Sequence, residues 1–145
     1  IPRIFNVSGP LINKHDSYIL SSVINSALSG VPVELRARRN VVRGYVAVRD
    51  VLDVLFGWLL TSAVPERFVF DTGGDLVEAG ELALRVLKVL QRQDLPINRP
   101  LPNSEPDDVY FGDGATFEQL AAVQGISLSS LDEQIANTAT YMKEL

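Results

Sequence analysis

Residues 33–60, VELRARRNVVRGYVAVRDVLDVLFGWLL, constrain the fold more than any other stretch of the chain. A short apolar run at 33–35 gives way to an arginine-rich turn. A valine-rich run follows at 41–48, and an almost wholly apolar helical segment begins at Val51. A run of β-branched residues followed by such a segment reads as strand, then helix. Five of the thirteen basic residues fall here, Arg36, Arg38, Arg39, Arg43 and Arg49, although the whole chain carries a formal net charge of −5. A local cationic site on an acidic body suits an anion such as a phosphate. Nucleic-acid binding usually calls for a basic domain, so no nucleic-acid partner is expected.

With 145 residues, the chain is long enough for one domain with a sizeable core. It has no cysteine, which excludes disulfides, a thiolate nucleophile and cysteine-based metal sites. The longest apolar run, residues 54–60, is far short of a bilayer span, so no membrane partner is expected. No leader pattern is visible, and a cytoplasmic location is expected. The chain opens almost directly in a strand-like run, IPRIFNV, which reads as the middle of something larger.

Taken in order, the first strand is expected over residues 3–7, since Pro2 cannot donate to a ladder, and Ser8, Gly9 and Pro10 close it. Asp16 or Ser17 is placed to cap a helix whose apolar face is Leu20, Val23, Ile24, Ala27 and Leu28, stopped by Gly30 and Pro32. Two short strands are expected around the arginine turn. Asp50 is placed to cap a helix over 51–61, apolar on nearly every side and so expected to be buried, with Gly57 marking a close helix–strand approach. A strand at 67–70 is followed by Asp71-Thr72-Gly73-Gly74. Next comes a helix with Ala79, Leu82, Ala83, Val86, Leu87 and Leu90 on one face and a Glu81–Arg85 pair on the other. Residues 94–108 hold four prolines and read as an extended loop. A short helix at 116–123 ends at Gly125. A last helix begins at Ser129 or Ser130, with Asp132 and Glu133 at capping-box spacing and an inner face of Leu131, Ile135, Thr138, Ala139 and Met142. Strand and helix alternate through most of the chain, so the class is α/β.

Chemistry-bearing residues are few. His15, the only histidine, has no triad partners in sequence and reads as a loop residue. No ligand set for a metal is spaced in the chain. Asp107 and Asp108 read as a solvated acidic turn, and Gly73-Gly74 lacks the G-x-G-x-x-G of a dinucleotide loop. Arg43 stands out. Set beside β-branched residues at a strand start, its planar fork of donors suits bidentate phosphate recognition. Asn6, expected at a strand's carboxyl end, can present its amide to the same ligand.

At these residues the sequence resembles a known family. Arg3-Ile4-Phe5-Asn6-Val7-Ser8-Gly9-Pro10 is similar to the R-x-F-N-V-Y-G-P segment of extended short-chain dehydrogenase/reductases, the nucleotide-sugar epimerase/dehydratase family. Gly30-Val31-Pro32-Val33 resembles its G-x-P-I, and residues 43–51, RGYVAVRDV, its R-D-F-V-Y-V-x-D-V. Phe70-Asp71-Thr72-Gly73 resembles its Y-N-V-G, with Glu81-Leu82-Ala83 in the following helix. Asp107, Tyr110 and Asp113 fall at the spacing of its D-x-x-Y-x-x-D. Among the departures, Ser8 replaces Tyr, Ala37-Arg38-Arg39 replaces Gly-Asp-Gly, and Asn103 stands where an arginine often precedes Asp107 by four.

The resemblance implies the carboxyl-terminal half of such an enzyme: the last strands of a Rossmann sheet plus a small mixed α/β substrate-binding subdomain. Residues 1–10 and 67–92 would pack on the Rossmann domain, and 11–66 and 93–145 would form the substrate subdomain. The partner would be a nucleotide-diphosphate sugar. Asn6 and Arg43 would contact its phosphates, Leu35 would lie beside the base and Asp107 near the ribose. Arg38 or Arg39 would serve as the second phosphate arginine. NAD or NADP would bind the intact parent and not this fragment, which lacks the glycine-rich loop and the Tyr-x-x-x-Lys pair and would catalyse nothing alone. Unpaired strand edges imply a homo-oligomer. The rival reading is a free-standing, non-catalytic module that binds a nucleotide or a protein.

Overall fold

Seven consecutive residues make the longest strand, β4 (Val41–Ala47), and every layer of the molecule is built on it. The computed structural model describes residues 1–12, 14–60, 68–101 and 103–145. The expected strand start at 67, the expected helix end at 61, Asn13 of the loop before the first helix and Pro102 of the proline-rich segment lie outside these residues. Strand β2 (Asn6–Ser8) pairs in parallel with residues 45–47 of β4, and β8 (Asp108–Tyr110) in parallel with 41–43. Strand β6 (Asp75–Glu78) runs antiparallel along residues 42–45. Since β6 shares Tyr45 with β2 and residues 42–43 with β8, it must lie on one edge of β4 and the other two in tandem on the opposite edge.

The pleat sorts the core into two layers, because alternate residues of a strand point to opposite faces. Tyr45 and Val77 face α1 (Ile19–Ser29), α3 (Ala79–Val89) and α5 (Leu131–Lys143), whose Leu20, Val23, Ile24, Leu82, Val86 and Ile135 form the larger apolar cluster. Val46 faces the other way, toward α2 (Val48–Leu59), α4 (Ala115–Val123) and the aromatic group Trp58, Phe68 and Phe70. Two more parallel pairs flank the main sheet: β1 (Pro2–Arg3) with β5 (Phe70–Asp71), and β3 (Val33–Glu34) with β7 (Ile97–Asn98). The α/β class is as the alternation of patterns indicated.

Several local expectations are corrected. The first strand divides at Ile4-Phe5 into β1 and β2, which belong to different sheets. Pro2 sits inside β1 after all: Phe70 and Thr72 donate to the carbonyls of Ile1 and Arg3, so the ladder asks nothing of Pro2's nitrogen. Helix α1 starts one or two residues later than Ser17 or Asp16 would place it, with Tyr18 at the N-cap and no side-chain cap. Gly30, at φ 72°, closes it as expected. Helix α2 begins at Val48 with Ala47 as N-cap. Asp50 lies inside its first turn, buried, and accepts from the Ser129 amide at 2.7 Å and hydroxyl at 2.9 Å, so it ties two helices together and caps neither. Helix α2 is also only half buried, because Leu52, Phe56 and Leu59 face outward. The close approach at Gly57 is to the α4 cap: a Cβ there would lie 1.9 Å from Oε1 of Gln124. Arg85 pairs with Asp132 on α5 and not with Glu81. Strand β6 and the short strands β7 (Ile97–Asn98), within the expected loop, and β8, which begins at its end, were not legible as runs. The capping box of α5 was, with Ser130 and Glu133 bonded reciprocally.

Candidate functional site

Arg43 lies on β4 with its guanidinium turned to β8. Nη2 donates to Asp108 Oδ2 at 2.9 Å, and Nη1 lies 3.2 Å from Oδ1 and 2.8 Å from the Asp108 carbonyl. Its fork therefore grips a carboxylate with the two-point geometry a phosphate would use. The guanidinium hydrogen bond holds the Asp108 carboxyl below its ordinary value of 3.8; desolvation opposes it, and the charges of Arg43 and Arg39 add to the lowering. Arg39 stands 3.6 Å from the same carboxylate. Next to it, Asn40 donates to Asp107 Oδ1 at 3.1 Å.

Asn6 opens β2 and does not end it. Its Nδ2 reaches the Gly44 carbonyl at 3.4 Å, a long bond, and its amide oxygen has no hydrogen-bond partner among the described residues. Because Asn6 is paired with Tyr45, it stands two positions along the neighbouring strand from Arg43. Tyr45 is buried beneath them, and burial pushes its phenol up to about 12 against the lowering influence of Arg43. The fold thus gathers Arg39, Arg43, Asp107 and Asp108 around the start of β4, with Asn6 beside the middle of that strand.

Two expected site residues lie differently. Leu35 is 8% exposed, packed in the larger cluster, with its amide bonded to the Asn98 carbonyl. Arg38 is exposed, its carbonyl holds the Asn103 amide, and its guanidinium has no ion-pair partner among the described residues. The sequence reading missed Arg99. Its fork clasps Glu78 at 2.7 and 3.0 Å, while Nη2 lies 3.5 Å from the Arg39 carbonyl. Burial pushes the Glu78 carboxyl up, but the Arg99 bond and charge and the amides of Gly80 and Val41 bring it below its ordinary 4.5. An arginine before a proline in a proline-rich stretch gave no sign of this partner 21 residues away. His15 is bonded through Nε2 to the Ile12 carbonyl, a loop role. No group of acidic or histidine residues suited to a metal occurs among the described residues, and none of their helices is long and apolar enough to cross a membrane.

No family model matches the sequence, and no curated protein does. Solved structures do match. UDP-glucose 4-epimerase of Thermotoga maritima, solved with UDP-glucose, superposes at a TM-score of 0.74 with 21% identity, over 99% of this chain and 45% of that enzyme. The fold is that of the carboxyl-terminal half of a nucleotide-sugar epimerase or dehydratase. UDP-N-acetylglucosamine 4-epimerase of Methanobrevibacter ruminantium gives the same TM-score at 15% identity, and dTDP-glucose 4,6-dehydratase of Bacillus anthracis, solved with NAD, gives 0.70 at 16%. The chain spans less than half the length of each. The resemblance drawn from the motifs and the architecture agree.

Proposed function

We propose that the chain is the substrate-binding half of an NAD- or NADP-dependent nucleotide-sugar epimerase or dehydratase, and that Arg43 holds the diphosphate of the nucleotide sugar. The observation that carries this is the Arg43 fork, set in two-point geometry at the start of β4 of a domain that superposes along its whole length on epimerases and dehydratases. In the complex Arg43 exchanges the Asp108 carboxylate for phosphate oxygens, an exchange of like for like in charge and shape. Asn6 adds an amide from β2, Asp107 offers its carboxylate to the ribose, and Arg38, exposed and without an ion-pair partner among the described residues, supplies a second positive charge. Leu35 shapes the floor under the base from within the core. In this reading residues 1–10 and 67–92 pack against the Rossmann domain, while 11–66 and 93–145 form the substrate subdomain.

The cofactor does not belong to this half. The sequence contains neither a G-x-G-x-x-G loop nor a Tyr-x-x-x-Lys pair, and hydride and proton transfer require such groups. Alone, the chain binds and does not catalyse.

One observation favours a second reading, a free-standing binding module in which Arg43 is structural: the Arg43–Asp108 pair also bridges β4 to β8. Calorimetric titration of uridine diphosphate into the chain, at one stated ionic strength, separates the two. If Arg43 clamps phosphate, Arg43→Lys weakens binding by about 1.5–3 kcal/mol, the worth of a charge-assisted hydrogen bond. Asp108→Asn, which removes the competing carboxylate, then strengthens it. If the pair is only structural, neither substitution alters affinity and both lower the melting temperature.

A further inference from the structure

We propose that the cleft where the carboxyl ends of β2 and β4 meet the last helix is a second small-molecule site, for a saccharide or polyol ring. The proposal does not rest on the function given above. The cleft encloses about 320 Å³, within the range of small-ligand pockets, roughly 300–1,000 Å³. It is distinct from the Arg43 site: Ala47 at its rim lies four positions along β4 from Arg43, about 13 Å of strand at roughly 3.3 Å per residue. It also opens where parallel strands of α/β sheets place their ligands, beyond their carboxyl ends.

The walls are preformed. Ser8 is fully buried and donates to Gln134 Oε1 at 2.7 Å, and the Gly9 amide donates to Thr138 Oγ1 at 2.8 Å. Gly9 holds φ 115°, and a Cβ there would press on Val48 Cγ1 at 3.1 Å, so the turn is fixed in a form that favours glycine. Opposite the turn, Gln134, Asn137, Tyr141 and Glu144 recur at spacings of three, four and three, which places them in one stripe along α5 and onto its cap. Gln134 is buried at the base of the stripe, whereas Asn137, Tyr141 and Glu144 lie outside the buried face of Leu131, Ile135 and Ala139.

The chemistry of the stripe selects the ligand. Each ring hydroxyl both donates and accepts, and the Asn137 amide, the Tyr141 phenol and the Glu144 carboxylate together do both. None of the Asn137 and Tyr141 side-chain groups has a hydrogen-bond partner among the described residues. The Tyr141 ring adds an apolar surface for the C–H face of a sugar. A phosphate is not favoured, because the lining's one cation, Arg49, lies 3.5 Å from the Asp53 carboxylate, and the lining also carries the Glu144 carboxylate.

Ligand-observed saturation-transfer NMR on the 145-residue chain, with glucose, galactose, N-acetylglucosamine and myo-inositol as probes, tests this. At least one probe is expected to receive transfer, to lose affinity about tenfold in Asn137→Ala, the cost of one good hydrogen bond, and to keep its signal under saturating uridine diphosphate. Asn137 is exposed on a helix, where alanine is the better helix former, so that variant keeps its fold. Tyr141→Phe, which keeps the ring and removes the phenol, provides an independent reading. No transfer at about 10 mM of any probe, full binding in both variants, or displacement by uridine diphosphate would each overturn the proposal.

Discussion

Arg43 and Arg99 show how a guanidinium fork is committed within a fold. Each faces a carboxylate at two points, Asp108 and Glu78 respectively, but their surroundings differ. The Asp108 carboxylate, 34% exposed, is hydrogen-bonded by Arg43 alone among the described residues, so its tie is the more exchangeable of the two. Glu78 is enclosed by Arg99, the Gly80 amide at the start of α3 and the Val41 amide. Its folded-state acidity lies below the ordinary 4.5, so its stabilising effect is complete above that value and is lost as pH falls through the lowered folded value. Glu78→Gln should therefore reduce stability near neutral pH and make chemical denaturation less pH-dependent below 4.5 than in the parent chain. Tyr45 carries the opposite sign. With its phenol raised to about 12, the stability it contributes is complete below 10 and falls as pH rises toward 12; a phenolate absorbance titration should find one tyrosine ionising late.

Among the elements, α5 is the most fully specified by its own sequence. Ser130 and Glu133 close a capping box, and the inner face lands in the core at Leu131, Ile135, Thr138 and Ala139. Ser130→Ala should cost about 1 kcal/mol, measured by urea denaturation, because an amide of the first turn loses its acceptor. Helix α2 is the counter-example. Its composition reads as buried on all sides, yet Leu52, Phe56 and Leu59 are 45%, 60% and 59% exposed. An apolar sequence reports that a face wants cover, and does not report whether the cover lies within the same chain.

At the scale of the whole molecule, that uncovered face is continuous in character with the exposed Ile1, Ile4, Val7 and Val69 around the short β1–β5 pair. Parallel strands are normally buried on both faces, and two residues of parallel pairing leave open edges. The chain in isolation should therefore self-associate. Multi-angle light scattering at high micromolar concentration is expected to give a dimer or larger, and Phe56→Glu on the outer face of α2 should shift it toward monomer. A clean monomer for the unsubstituted chain would count against the proposal that these faces are buried in a larger enzyme.

Periodicity and turn chemistry by themselves determined α1, α3 and α5, their core faces, the Gly30 stop and the α/β class, because each rests on neighbours within one or two turns of chain. Strand placement and side-chain chemistry brought Arg43 and Asn6 to notice, and the family resemblance gave Asp107 its role. The partners of those residues lay out of reach. Strand β6 is four residues long and exists because β4 has an open edge beside it. Asp50 bonds to Ser129 across 79 positions and Arg43 to Asp108 across 65, so neither pairing leaves a local pattern. Leu35 and Arg38 are three residues apart in one basic turn, yet one is in the core and the other in solvent. Only the packing of β3 against α1 and β7 decided that, since burial is a property of the elements that surround a side chain and not of the residues that precede and follow it.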